Sequence, residues 1–173
     1  LDEIELLNKK GLKRHNFKIQ GSQLINGREA YKITFDQKDI KKPGYKGYML
    51  INKETLAFEF FDFGLSPKGK KYLKFGDASM RALMKIMCVY ITMSDNDTQI
   101  HYKKLGDKYY LNNVGNDAVL NFKSDRQHFN FDAKTRVDYL VTKVETKDIS
   151  PFTNDETLGK RKLIEGQNSV YDP

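Results

Sequence analysis

The sequence predicts an α+β fold that is predominantly antiparallel β: a curved meander sheet or half-barrel of about eight or nine strands covered by one main helix. Three observations lead there. Apolar and polar residues alternate with period two along most of the chain, and turn-forming pairs punctuate that alternation. One segment, Asp77 to about Tyr90, instead places methionine and leucine at three- and four-residue steps.

Leu1, Ile4, Leu6 and Leu7 stand at near-helical spacing, as at the end of a helix that began upstream, and Gly11 is expected to stop it. Arg14 to Ile25 reads as a strand, closed by Asn26-Gly27, a pair that tolerates the positive φ of a type I′ hairpin turn. In its partner, Arg28 to Asp36, Tyr31, Ile33 and Phe35 share one face and Lys32 and Thr34 the other. A lysine-rich loop with Pro43 and Gly44 leads to a second hairpin, Tyr45 to Ile51 and Leu56 to Phe63, around the turn residues Asn52 to Thr55. Its second arm carries Leu56, Phe58 and Phe60 on one face and Ala57, Phe61 and Phe63 on the other, so both faces require cover.

Asp77 is placed to cap the helix, and Met80, Leu83, Met84 and Met87 form the stripe expected to roof the sheet. Methionines so spaced line adaptable grooves or, more commonly, fill irregular cores. Cys88 reads as a small buried hydrophobe, with no adjacent basic residue to activate its thiolate. After a polar loop at Ser94 to Thr98, five further strands are expected: Gln99 to Leu105, Lys108 to Val114, Ala118 to Lys123, Gln127 to Phe131 and Thr135 to Thr146. Gly106-Asp107 joins the first two, and Asp132-Ala133-Lys134 separates the last two. Residues 1–13 are thus a helical or linker segment, 14–152 the β-rich domain and 153–173 a polar C-terminal tail.

The chain has 173 residues, 39% of them hydrophobic, enough for one self-sufficient core. Cys88 is the only cysteine, so no disulfide forms within the chain. The longest apolar run, Ala82 to Met93, is interrupted by Lys85 and is too short for a membrane-spanning helix, so no transmembrane segment is expected. Leu1 in place of an initiator Met points to a processed chain, a fragment or a missing start. The net charge of +7 comes from separated lysine clusters, which keep turns and edges soluble; without a zinc-finger or aromatic-basic RNA signature, no nucleic-acid partner is expected.

Four places in the chain resemble sites of chemistry. His15, His101 and His128 fall on expected strands without metal-ligand spacing, so no metal site is expected. Asp95-Asn96-Asp97 opens like a calcium loop but has Ile100 where the turn glycine belongs, which leaves a helix-terminating loop as the better reading. Gly64 to Lys71 mimics a phosphate-binding loop, yet Lys71 stands where Ser or Thr must hold magnesium, and Pro67 removes an amide donor. Ser66 lacks a nucleophile-elbow motif, so no catalytic residue and no cofactor is assigned.

Three stretches carry a family resemblance: Tyr31-Lys32-Ile33-Thr34-Phe35, then Gly47 to Asn52 with Thr55 to Phe58, then Ile100 to Leu111. Over about Phe17 to Phe152 the chain resembles the extracytoplasmic β region of carboxypeptidase-regulatory-like domain proteins of Bacteroidetes-type bacteria, and Tyr171-Asp172-Pro173 is similar to the start of their C-terminal segment. The resemblance implies a periplasmic or outer-membrane-associated protein and no peptidase activity, because the family name derives from a small accessory domain that is not recognisable here.

The leading expectation is therefore a non-catalytic envelope module whose sheet face around Phe58, Phe60, Phe61 and Phe63 binds a partner protein or a neighbouring domain. One alternative is a carrier of a lipid or other apolar ligand between sheet and helix, lined by Met80, Met84 and Met87. The other is an envelope-polymer hydrolase, which requires two convergent carboxylates or a nucleophile in reach of a histidine.

Overall fold

A computed structural model describes residues 6–147, 149 and 150. The chain divides after Thr142 into two units, and every element named below lies in the first; in the second, Lys143 and Glu145 form an ion pair. Asn8 begins the first helix, its Oδ1 accepting the N–H groups of Lys10 at 2.9 Å and Gly11 at 2.8 Å. α1 (Lys9–Arg14) therefore contains Gly11, the expected stop. An asparagine that satisfies two orphan amides starts a helix more effectively than one glycine ends it.

Seven antiparallel strands follow, hydrogen-bonded in sequence order as one open sheet: β1 (His15–Ile25), β2 (Arg28–Gln37), β3 (Tyr45–Asn52), β4 (Phe58–Leu65), β5 (Tyr90–Leu105), β6 (Lys108–Ser124) and β7 (Phe129–Leu140). The β1–β2 turn has Asn26 at φ 50° and Gly27 at φ 75°, the two positive values a type I′ turn demands. Nine expected strands become seven because polar residues read as breaks lie inside strands. Ser94 to Thr98, read as a loop, belongs to β5, and so do Asp95 and Asp97 of the supposed calcium-like loop. The two strands expected over Lys108 to Lys123 are the single β6, and Asp132 to Lys134 sits within β7. Such residues are tolerated in strands with a solvated face. His128 leaves the sheet and takes φ 55° in the β6–β7 turn.

The core lies on both faces of β2 to β4. On one face Phe35, Met49 and Phe61 are buried together with Leu6, and Phe58 and Phe63 pack against them. On the other, Ala30, Leu50 and Phe60 are buried with Tyr48 and Ile25 against them. Strict alternation would put Phe58 beside Phe60. Instead Leu50 faces Phe60 while Ile51 faces Phe58, so Glu59 is the extra residue of a β-bulge and Phe58 turns to the side of Phe61, ring centroids 5.1 Å apart. One inserted residue reverses the facing of everything before it.

The helix α2 (Ala78–Met87) forms where its stripe indicates, with Asp77 Oδ1 accepting the Met80 N–H at 2.8 Å. It does not bury that stripe: Met80, Leu83 and Met87 are exposed, Ile86 is 74% exposed, and no α2 residue is buried. Cover for the Phe61 side comes from Leu6 and Leu7, ahead of α1. The helix also ends three residues earlier than expected. Cys88 takes left-handed φ 54°, ψ 36°, its N–H bonding Lys85 O while the Val89 N–H bonds Met84 O. Cys88 is accordingly a half-exposed helix terminator and not a core residue.

A side chain with a Cβ is strained at that position. Cys88→Gly is expected to raise stability by roughly 0.5–1 kcal/mol in urea denaturation, the relief of strain exceeding the added unfolded-state entropy.

Candidate functional site

Three features outside ordinary packing stand out, beginning with a charged group inside the sheet. The bulge that reverses Phe58 also turns Glu59 inward, where it is 1% exposed. Its carboxylate accepts Arg28 Nε at 3.1 Å and Nη2 at 2.9 Å, Asn52 Nδ2 at 2.8 Å and the Tyr109 hydroxyl at 3.3 Å. Asn52 is held in turn, its Oδ1 accepting the N–H groups of Glu54 and Thr55. Burial pulls the Glu59 carboxyl upward, but the hydrogen bonds from Arg28 and Asn52 and the Arg28 charge outweigh it and hold the group below its ordinary value. Three of these hydrogen bonds reach Oε1 and one reaches Oε2, all from within the fold, which makes the carboxylate a structural centre.

The second feature is a cavity of about 340 Å³, walled by Leu6 ahead of α1, Arg14 of α1, Gln37 at the end of β2, Lys42 of the β2–β3 connection, Tyr45 and Leu73. His15 lies on its wall with both ring nitrogens engaged: Nδ1 donates to Gly11 O at 2.8 Å, and the Tyr45 N–H donates to Nε2 at 3.3 Å. Gln37 Nε2 donates to Asp39 O and Lys42 O, which settles its amide orientation and leaves Oε1 buried without a partner. That amide packs between Gly44 and Gly69; a Cβ on Gly69 would fall 1.9 Å from Lys42 O and 2.7 Å from Gln37 Oε1. Close backbone approach, not turn geometry, requires this glycine. Beside Gln37 in the chain, Asp36 accepts Ser66 Oγ at 2.8 Å and pairs with Lys68; burial raises its carboxyl but these partners prevail and lower it.

The third feature is a face of the long strands. Paired residues of antiparallel strands share a face, and the β6–β7 pairs Phe122–Phe131, Leu120–Ala133, Ala118–Thr135, Asn116–Val137 and Val114–Tyr139 line up on one side. Ile91, Met93 and Ile100 continue that side onto β5 through their pairs Phe122, Leu120 and Val114. No charged residue occurs in these rows. Phe122 and Phe131 stack with ring centroids 5.5 Å apart at 11°. Exposure is high toward β7: Phe131 51%, Val137 43%, Tyr139 66%. The opposite side carries the charges, with Asn121–Asp132, Val119–Lys134, Asp117–Arg136 and Asp97–Asp117 paired across the strands. There burial, with Asp62, Asp117 and Asp95 nearby, pushes the Asp97 carboxyl up.

The residues expected to form a binding face are distributed otherwise. Phe60 and Phe61 belong to opposite core clusters, and Phe58 and Phe63 pack half-buried against Phe61. Met80 and Met87 are exposed on α2, Met84 is half-buried, and none of the three walls the cavity. Among the described residues, no three His, Cys, Asp or Glu side chains gather to hold a metal ion, and no helix is long and apolar enough to cross a membrane. His101 packs tilted against Phe60, ring centroids 4.5 Å apart at 53°, and burial, partly opposed by Asp62, lowers its pKa. The uncharged face of β5–β7 was missed because its strands were divided at polar residues. Parity across Phe129, Phe131, Ala133, Thr135, Val137 and Tyr139 was the available signal.

Two substitutions test the buried groups. Arg28→Ala leaves the Glu59 carboxylate unneutralised and is expected to cost roughly 3 kcal/mol near neutral pH. Because Glu59 titrates lower folded than unfolded, its stabilisation is present above the ordinary carboxylate range and is lost as pH falls through the folded value. The deficit of the variant, read from urea melts at about pH 7 and about pH 4, should therefore shrink in acid. Gly69→Ala should lower stability by about 1–3 kcal/mol in the same melts, since the obstructing atom is backbone.

No protein-family model, no curated protein and no solved structure matches this chain.

Proposed function

We propose that this chain is a non-catalytic β module of the bacterial cell envelope, periplasmic or outer-membrane-associated, that binds a protein or a neighbouring domain through the uncharged face of β5–β7. One observation carries the reading: three strands present a continuous row of uncharged, largely apolar side chains, and the row is most exposed at Phe131, Val137 and Tyr139. Exposed apolar surface of this kind on an otherwise charged protein marks an interaction site. The phenylalanines of β4 are consumed by the core and do not compete for that role. The envelope location rests on the sequence resemblance to Bacteroidetes-type envelope proteins.

A second reading, a small-ligand carrier, has the cavity beside Gln37 in its favour. Its volume of about 340 Å³ falls at the small end of ligand pockets, and its buried Gln37 Oε1 is an acceptor awaiting a donor. Mass spectrometry of the purified chain under native conditions should then reveal a bound small molecule that Gly69→Ala excludes.

The interaction reading is tested with a photoreactive phenylalanine placed at Leu120, on the uncharged face, or at Val119, on the charged one, and illuminated in the producing cells. Adducts are expected from position 120 and not from 119. Adducts from both positions, or from neither, would sink the proposal.

A further inference from the structure

The uncharged face ends at an edge with unusual properties. Among the described residues β7 has no neighbour on its outer side. Its pairing with β6 runs from Phe129 to Leu140 without a register shift, so a regular strand of 12 residues leaves its outward N–H and C=O groups open. Proteins ordinarily blunt such edges with a bulge, a proline, a short strand or charged side chains. The other edge does so: β1 is bulged between Ile19 and Gly21, and Gly21 takes φ 125°. β7 has neither bulge nor proline.

The charges on β7 select what can pair there. We infer that β7 pairs antiparallel with β7 of a second copy of this chain, centred on Lys134, extending the uncharged face across both molecules. Two copies keep their apolar side chains on one side only in registers that pair residues of equal parity. Of these, the registers centred on Lys134 and on Thr135 overlap the strands most fully, since they flank the midpoint of Phe129–Leu140. Centring on Thr135 sets Lys134 against Arg136 and Asp132 against Asp138, a like-charge pair in every case. Centring on Lys134 sets Asp132 against Arg136 twice, Phe131 against Val137 twice and Phe129 against Tyr139 twice. Its one like-charge contact, Lys134 with its own copy, involves long exposed side chains that can splay apart. Arg136 already reaches Asp138 at 3.1 Å and Asp117 at 3.8 Å, so the incoming Asp132 completes an alternating row across the sheet. This inference rests on reading β5–β7 as an interaction face and names one occupant of its edge.

Sedimentation of the full chain over a concentration series tests it. The chain should dimerise reversibly. Asp132→Arg and Arg136→Asp should each weaken the dimer roughly tenfold or more, because two attractive cross-strand pairs become repulsive. An equimolar mixture of the two variants should restore it, since each then faces its opposite charge. As a control that needs neither charge variant to fold, Lys134→Cys in a Cys88→Ser background should form an interchain disulfide under mild oxidation, and Thr135→Cys should not, its copies lying beyond the roughly 7 Å reach of the bond. A chain that stays monomeric throughout, a mixture that fails to recover while both variants show unchanged circular dichroism, or equal cross-linking at 134 and 135 would overturn the pairing. A monomeric chain that still yields adducts from position 120 would leave the interaction reading standing without this partner.

Discussion

Between Phe58 and Phe60 the chain has one residue more than the strand it faces, and the arrangement of β2 to β4 depends on how that residue is accommodated. The extra residue is Glu59, and the bulge turns it inward to Arg28, Asn52 and Tyr109. A buried carboxylate without partners would be prohibitively costly. With them, it ties β2, the end of β3, β4 and β6 to one point. The bulge moves Phe58 from the Phe60 side to the Phe61 side, so the aromatic cores are Phe61 with Phe58 on one side of β4 and Phe60 with Tyr48 on the other.

That two-sided burial separates the sheet into parts with different physical roles. In β2 to β4 the large apolar residues are spent on packing, with Leu6 and Leu7 closing the Phe61 side. Along β5 to β7 the strands are long, the rows from Ile91 to Ile100 are uncharged on one side and charged on the other, and much of both sides is open to solvent. Hydrogen bonds between neighbours hold such a layer in register, and stacking of Phe122 on Phe131 adds a cross-strand contribution. None of the side chains of this surface lines the cavity near His15.

The methionine helix shows how an amphipathic pattern can mislead. Its cap at Asp77 and its helical period are local properties, and both are realised. Whether an apolar stripe is buried depends on what lies opposite, and here the covering position over the Phe61 side is taken by residues ahead of α1. The buried polar groups make the same point. His15 and Gln37 are buried because backbone carbonyls and amides of connecting segments reach them, and no spacing of residues announces such partners.

Local chain chemistry by itself determined the antiparallel β class, the Asn26-Gly27 hairpin, the order of the first four strands and the existence of α2, because these follow from turn preferences and from alternation over a few residues. Only the tertiary structure decided the rest: that Asp95, Asn96, Asp117 and Asp132 lie within strands, that Glu59 is a bulge, that the β4 phenylalanines are core and that α2 covers nothing in the core. The physical reason is common to all four. A polar residue in a strand, or an apolar one on a helix, is compatible with either solvent or a partner, and which one it meets is set by residues distant in the chain.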